Sequence, residues 1–327
     1  MAVDSNNSPE HRSRPPGTSM VVDTHHHFYP PQYVARRREE ILAISPGFQH
    51  VVDWTPEDSL AAMDEAGVDK AILSISTPGI WFDDTNEARV VARECNEYAA
   101  ALVRDYPDRF DFFAAVPLPD SSGSIAEIAY AIDQLGAVGV GLLTNYGGRY
   151  LGDPVFSPVF EELDRRGTTV YIHPTTVDCC RNLVTDLPPA FLEFVFDTTR
   201  TAASLLFSGT LTRLRKLRFI FSHGGGTLPM LTGRLELLVR NKPALQKLFP
   251  QGLDHELARH YYDTVSIMSP AAVRAMKTFV PSTQMVFGTD CPYGPIDLQL
   301  KAIAAFDFSD ADRALVIGAN AQRLLKL

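Results

Sequence analysis

An apolar run near the N-terminus, Val21-Val22-Asp23-Thr24-His25-His26-His27, ends in a His-x-His pair. In an extended strand alternate side chains share a face, so His25 and His27 project together and His26 projects to the opposite side. Two imidazoles converging from one strand end are donors for a divalent metal. Three further apolar runs finish in one ionisable group each: Val170-Tyr171-Ile172-His173, Phe219-Ile220-Phe221-Ser222-His223 and Val286-Phe287-Gly288-Thr289-Asp290. A lone histidine at such a place is most simply a core residue with a satisfied ring. Four strand ends of one kind call for a common cause, because burying ionisable groups without partners is costly. A shared cation with an acid/base beside it is the simplest.

His25, His27, His173 and Asp290 make a shell of three nitrogens and one oxygen. Imidazole and carboxylate suit zinc or manganese, and the lack of thiolate ligands argues against a closed structural zinc site. Cys291 follows Asp290 along the strand and should point away from the interior. His223 is either a fifth ligand or, by preference, an acid/base beside the shell, since a histidine beside a cation and a carboxylate is tuned toward neutral pH; His223 and Asp290 are the candidates for handling a proton. The run Gly224-Gly225-Gly226 either lets backbone approach a ligand and offers amides to an anion, or makes a tight strand-to-helix turn.

The elements that must position these groups alternate along the chain. Strands are expected at Met20–His27, Ala71–Pro78, Phe112–Pro117, Ala137–Leu143, Thr169–Pro174, Arg218–Gly224, Tyr262–Ile267 and Met285–Cys291. Most are continuous apolar runs, as parallel strands buried on both faces require. One helix starts after Thr55, with Pro56 at its first position and acids in its first turn, and stops near Gly67. Others are expected at Asn86–Arg104, Ile125–Leu135, Ser157–Arg166, Ala190–Ser208, Leu228–Leu238, Pro270–Thr278 and Asp310–Leu327. Eight strands alternating with helices predict one (β/α)₈ TIM-type barrel over residues 20–327. An open doubly wound sheet is the alternative, but no Gly-rich dinucleotide loop follows the first strand.

Composition bounds the function. The 327 residues carry a formal charge of -9, with 45% hydrophobic and 21% charged residues, ordinary values for a globular protein. No basic run exceeds Arg36-Arg37-Arg38, so no nucleic-acid footprint is expected. No apolar stretch reaches membrane-spanning length. The four cysteines form no Cys-x-x-Cys, which points to a reduced, cytoplasmic chain. Residues 1–19 are polar and lack the apolar core of a signal peptide, and a disordered tail is expected there.

The motifs together resemble a known group. Asp-Thr-His-His-His-Phe at 23–28, Tyr-Ile-His-Pro at 171–174, Ser-His-Gly-Gly-Gly-Thr-Leu-Pro at 222–229 and Phe-Gly-Thr-Asp-Cys-Pro at 287–292 resemble the amidohydrolase superfamily. The nearer match is its metal-dependent decarboxylase branch, typified by aminocarboxymuconate semialdehyde decarboxylase and the ortho-hydroxybenzoate decarboxylases. Asn96-Glu97-Tyr98, Ala114-Ala115-Val116-Pro117, Phe196-Asp197-Thr198-Thr199-Arg200 and the ending Gly318–Leu324 also look like that branch.

The resemblance implies one divalent ion on His25, His27, His173 and Asp290, zinc ahead of manganese, with His223 beside it. Two-metal relatives bridge their ions through a strand-four lysine, and Gly139–Thr144 contains none. Some relatives in the branch carry Glu in place of the first His of the pair, which this chain keeps. The loop Ser76–Phe82 is similar to that of salicylate- and 6-methylsalicylate-type decarboxylases, and Trp81 and Phe82, which follow the end of strand two, either stack on an aromatic ring or form core beneath the loop. Arg234 falls where the branch donates an arginine across a dimer interface to a substrate carboxylate, which implies a homodimer. The expected activity is non-oxidative decarboxylation of a small aromatic acid with an ortho hydroxyl. Phenolate and carboxylate oxygens would chelate the metal, and the carboxyl-bearing carbon would be protonated. The alternative on the same barrel is metal-assisted hydrolysis of a lactone or amide.

Overall fold

The computed structural model describes residues 20–180, 183–184 and 186–327; the expected N-terminal tail lies outside them. Eight parallel strands form one sheet in chain order. They are β1 (Val22–His27), β2 (Lys70–Ser74), β3 (Phe110–Ala115), β4 (Gly139–Leu143), β5 (Thr169–His173), β6 (Arg218–Phe221), β7 (Tyr261–Asp263) and β8 (Met285–Val286). The segment after β8 closes the ring on β1: Thr24 N–H donates to Phe287 O at 2.9 Å, Asp290 N–H to His25 O at 2.8 Å and His27 N–H to Cys291 O at 2.7 Å. This is the expected barrel.

Helices cover the outside: α1 (Pro31–Ile44), α2 (Pro56–Ala66), α3 (Thr85–Asp105), α4 (Ser121–Asp133), α5 (Ser157–Arg166), α6 (Glu193–Phe207), α7 (Leu228–Arg240), α8 (Pro270–Phe279) and α9 (Ile296–Ala305). The start of α2 is the one its residues predict. Asp58 N–H donates to Thr55 Oγ1 while Thr55 N–H donates back to the Asp58 carboxylate, and Gly67 ends the helix at φ +74°. Two helices, α1 and α9, are not in the sequence expectation. The closing helix is broken by a π turn at Leu315–Ala319, and Asn320 beyond it donates to Ser282 O and Met285 O, each at 2.7 Å.

The expected seventh strand, Tyr262–Ile267, is three residues long instead and ends at Asp263. The Asp263 carboxylate accepts from Val265 N–H at 3.1 Å, and Ser266 adopts φ +63°, so the chain turns out of the sheet there.

The interior of the barrel has two layers near the site. Val22, Ile72, Phe113, Tyr171, Ile220 and Val286 form an apolar plug. Strand periodicity puts Ser74, His173, Ser222 and Asp263 one layer higher on the same face. Strict alternation from Val22 would turn His25 and His27 outward. A register shift in the β1–β2 ladder between Asp23 and His26 inserts one residue and brings both rings inward.

Candidate metal centre

The barrel architecture explains the convergence. His25 and His27 come from β1 and His173 from the end of β5, while Asp290 lies in the turn that closes β8 onto β1. One donor atom from each lies within 4.8 Å of all the others. The Nε2 atoms of His25 and His27 are 3.1 Å apart, and Asp290 Oδ1 is 3.2 Å from the first and 3.1 Å from the second. The three rings meet edge to face, with centroids 4.7 to 5.3 Å apart.

The other nitrogen of each ring has its own partner. His27 Nδ1 lies 3.2 Å from Ser74 O and His173 Nδ1 lies 2.8 Å from Pro174 O. A carbonyl only accepts, so these nitrogens carry the hydrogens and the Nε2 lone pairs face the centre. His25 Nδ1 lies 2.7 Å from Asp263 Oδ2. Lone pairs and a carboxylate aimed at one point repel each other unless a cation stands between them, so the donor set fits a divalent ion of the zinc or manganese kind.

The electrostatics of the cluster follow from the same packing. Burial disfavours charge on His25, yet Asp263 and Asp290 outweigh it and push the imidazole up to about 10. Burial and the neighbouring charge on His25 pull His27 down despite its contact with Asp290. His173 falls well below the usual histidine range through burial and the proximity of His27 and His25. Burial raises the Asp290 carboxyl, but the charge on His25 and the nearby imidazoles of His223, His25 and His27 hold it well below the usual carboxylate range.

His223 Nε2 stands 3.9 Å from Asp290 Oδ2, and His223 Nδ1 is buried without a hydrogen-bond partner. Both His223 and Asp290 have positive φ, +52° and +64°, a strained state for residues with a Cβ that is typical of functional sites. Gly224, Gly225 and Gly226 all lie at positive φ, between +62° and +76°, so the run makes the tight turn that aims His223. Cys291 is buried beside His26, away from the cluster, as strand alternation requires.

A cavity of about 1020 Å³ opens above the strand ends. Its walls include Trp81, Phe82, Tyr146, Tyr150 and Phe194, with Arg200 at one side. The metal ligands do not line it. Two of its lining residues lie close to them: Thr175, two residues beyond His173, and Phe194, whose ring is 5.9 Å from that of His173. Trp81 lines this cavity. Arg234 is exposed on α7 and lies outside the lining of its own chain's cavity. The sequence reading missed Asp263, although Tyr261-Tyr262-Asp263 repeats in shortened form the pattern of an apolar run ending in an acid.

Comparison with known proteins agrees with this geometry. The amidohydrolase family profile matches residues 22–327. The 6-methylsalicylic acid decarboxylase of Penicillium expansum is 35% identical over 260 residues, 78% of this chain and 80% of that protein. Decarboxylase yanB of Aspergillus niger is 37% identical over 265 residues, 77% of this chain and 72% of that one. The crystal structure of 2,6-dihydroxybenzoate decarboxylase complexed with 2,6-dihydroxybenzoate superimposes with a TM-score of 0.80 at 25% identity, covering 95% of this chain and 99% of the other. With the profile spanning every barrel strand and all four ligand positions, this chain belongs to the amidohydrolase family.

Proposed function

We propose that the chain is a metal-dependent decarboxylase of a small aromatic acid with a hydroxyl ortho to its carboxylate, of the salicylate or 6-methylsalicylate kind. The observation that carries this is the convergence of three imidazole Nε2 atoms and the Asp290 carboxylate beside His223, in a chain 35% identical to a 6-methylsalicylic acid decarboxylase. When bound, the divalent ion supplies Lewis-acid pull on the substrate's oxygens. The nitrogen-rich donor set favours zinc, with manganese as the competitor.

The chain's own residues do the rest. Trp81 presents an aromatic face to the ring from the cavity wall. His223 or Asp290 delivers a proton to the carboxyl-bearing carbon. The bond from that carbon to the carboxylate then breaks, its electron pair restores the ring, and carbon dioxide leaves. Turnover consumes one proton.

A homodimer completes the proposal. Met230, Arg234, Leu237 and Leu238 share one exposed face of α7, with Met230 76% and Leu237 60% exposed. Large apolar side chains grouped on one helix face mark a protein contact, and a second copy docked there would carry Arg234 toward its neighbour's site. None of the helices is long and apolar enough to cross a membrane among the described residues, and Cys95 and Cys291 are buried thiols, which suits the cytoplasm.

The test is metal analysis of the purified protein followed by a carbon dioxide assay on salicylate, 6-methylsalicylate and dihydroxybenzoates. Release from at least one acid, lost with a chelator and restored by zinc or manganese, supports the proposal. Full activity in the chelated protein overturns it.

A further inference from the structure

Asp263 has no exposed surface, and its two oxygens serve two different parts of the site. Oδ2 lies 2.7 Å from His25 Nδ1. Oδ1 accepts from the backbone N–H of His223 at 2.8 Å and from that of Val265 at 3.1 Å. An ionised carboxylate only accepts hydrogen bonds. In the neutral ring, the form that binds a metal, the hydrogen of His25 therefore sits on Nδ1, which leaves the Nε2 lone pair facing His27, His173 and Asp290. The same carboxylate holds the amide of a residue at φ +52°, where a side chain is strained.

We propose that Asp263 is a positioning residue that selects the metal-binding tautomer of His25 and, through its second oxygen, locks the His223 backbone so that the ring reaches Asp290. One buried group thereby sets the ligand and the acid/base together. His25 cannot turn away from it, because the ring is fully buried and Gly288 of the adjoining segment packs against its Cβ.

Asp263→Asn separates this role from simple packing. The amide oxygen stays with the two backbone N–H donors, since reversing it would set a donor against both. Its NH₂ group then faces His25 Nδ1 and drives the histidine hydrogen to Nε2, where it blocks a ligand position. The inference rests on the proposed metal site but not on the substrate.

The experiment measures zinc affinity of the full chain by competition with a chelator, for the parent, Asp263→Asn and Asp263→Ala. Both variants should bind zinc about 10- to 100-fold more weakly, with the far-UV circular dichroism of the metal-free chain unchanged. Affinity within about twofold of the parent in the folded variants would overturn the proposal. Nitrogen-15 NMR of the zinc-loaded parent gives a check that needs no variant: His25 should show a protected Nδ1–H, and zinc bound through Nδ1 instead would equally overturn it. Weaker zinc binding in the variants, with no carbon dioxide released by the parent from any hydroxybenzoate, would condemn the substrate assignment and leave the role of Asp263 standing.

Discussion

The Nε2 atoms of His25 and His27 face each other at 3.1 Å, and Asp290 Oδ1 completes a near-equilateral triangle with them at 3.2 and 3.1 Å. At neutral pH that contact is tolerable only with a positive charge at its centre. A divalent ion satisfies all the donors at once, whereas a proton satisfies them one at a time. His173 closes the shell from the other side of the barrel, its ring fixed through Pro174 O. His173→Ala should therefore leave the fold intact and yield protein with far less than one bound ion per chain. Carbon dioxide release should fall to background. Elemental analysis beside the assay checks both, and a variant with a full complement of metal would exclude His173 as a ligand.

His223 is expected to behave differently. Its Nε2 is 3.9 Å from Asp290 Oδ2 and its Nδ1 has no partner, so it is free to exchange a proton. His223→Gln should keep the metal and lose about 10²- to 10⁴-fold in kcat, the usual worth of a positioned acid/base. Deuterium incorporation into the product ring in D₂O should slow by the same factor. Loss of metal along with activity would move His223 into the ligand shell.

The barrel and the ligand set were legible in the sequence because the apolar runs of β5, β6 and β8 each lead into one ionisable group, His173, His223 or Asp290, and β1 closes on the His25-x-His27 pair. The glycine turn after His223 was legible as an ambiguity, which three positive φ angles resolve. Asp263 was not, because β7 is three residues long and two of them are tyrosines, so the run that should announce the acid is too short to see. The register shift in β1 was also hidden: His25 to His27 alternate normally among themselves, and only the pairing with the neighbouring Lys70–Ser74 strand shows that a residue has been inserted between Asp23 and His26. Helix α1 escaped notice because its Arg36–Glu40 stretch carries only charged residues, and Arg37 departs from helical geometry at φ -130°. The proposed role of Arg234 involves a second copy, which one chain's sequence does not contain.

Gly288 marks a close approach that no larger residue allows. A Cβ there would lie 2.7 Å from the Cβ of His25 and 3.0 Å from Val265 Cγ2. Gly288→Ala should push His25 off the metal centre, and overpacking of this kind costs about 1–3 kcal/mol of stability. Metal content and activity should fall together, with a lower melting temperature. A fully metallated, fully active variant would show that the β8 segment can yield without moving His25.

Acid sensitivity can be traced to a particular group far from the site. Hydrogen bonds from Arg165 outweigh the burial of Glu162, and with those from Arg166 they hold its carboxyl at about 2. A carboxyl whose folded value is depressed stabilises the fold fully above its unfolded value of about 4.3, and that contribution fades as pH falls through the folded value. Because Arg165 is 65% exposed, the contribution is discounted for solvent to about 1 kcal/mol. Glu162→Gln should melt about 2 °C lower at neutral pH. The gap should narrow steadily as pH drops from about 5 toward about 2.5. A gap independent of pH would mean that Glu162 acts through packing.

Arg234 offers the sharpest test of assembly. It lies on the exposed face of α7 with Met230 and Leu237 and outside the cavity of its own chain. If a second copy receives it, a chain lacking Arg234 and a chain lacking His173 each fail for a different reason. In a mixed dimer, the site that keeps His173 belongs to the Arg234→Ala chain and takes its arginine from the His173→Ala chain. That site is intact. Mixing the two inactive variants under conditions that exchange subunits should restore part of the parental activity. Met230→Asp should abolish the effect by preventing the contact, and sedimentation should show monomers. An Arg234→Ala variant with unchanged KM and kcat would remove the residue from the site altogether, because a cation that meets the substrate carboxylate must register in one or the other.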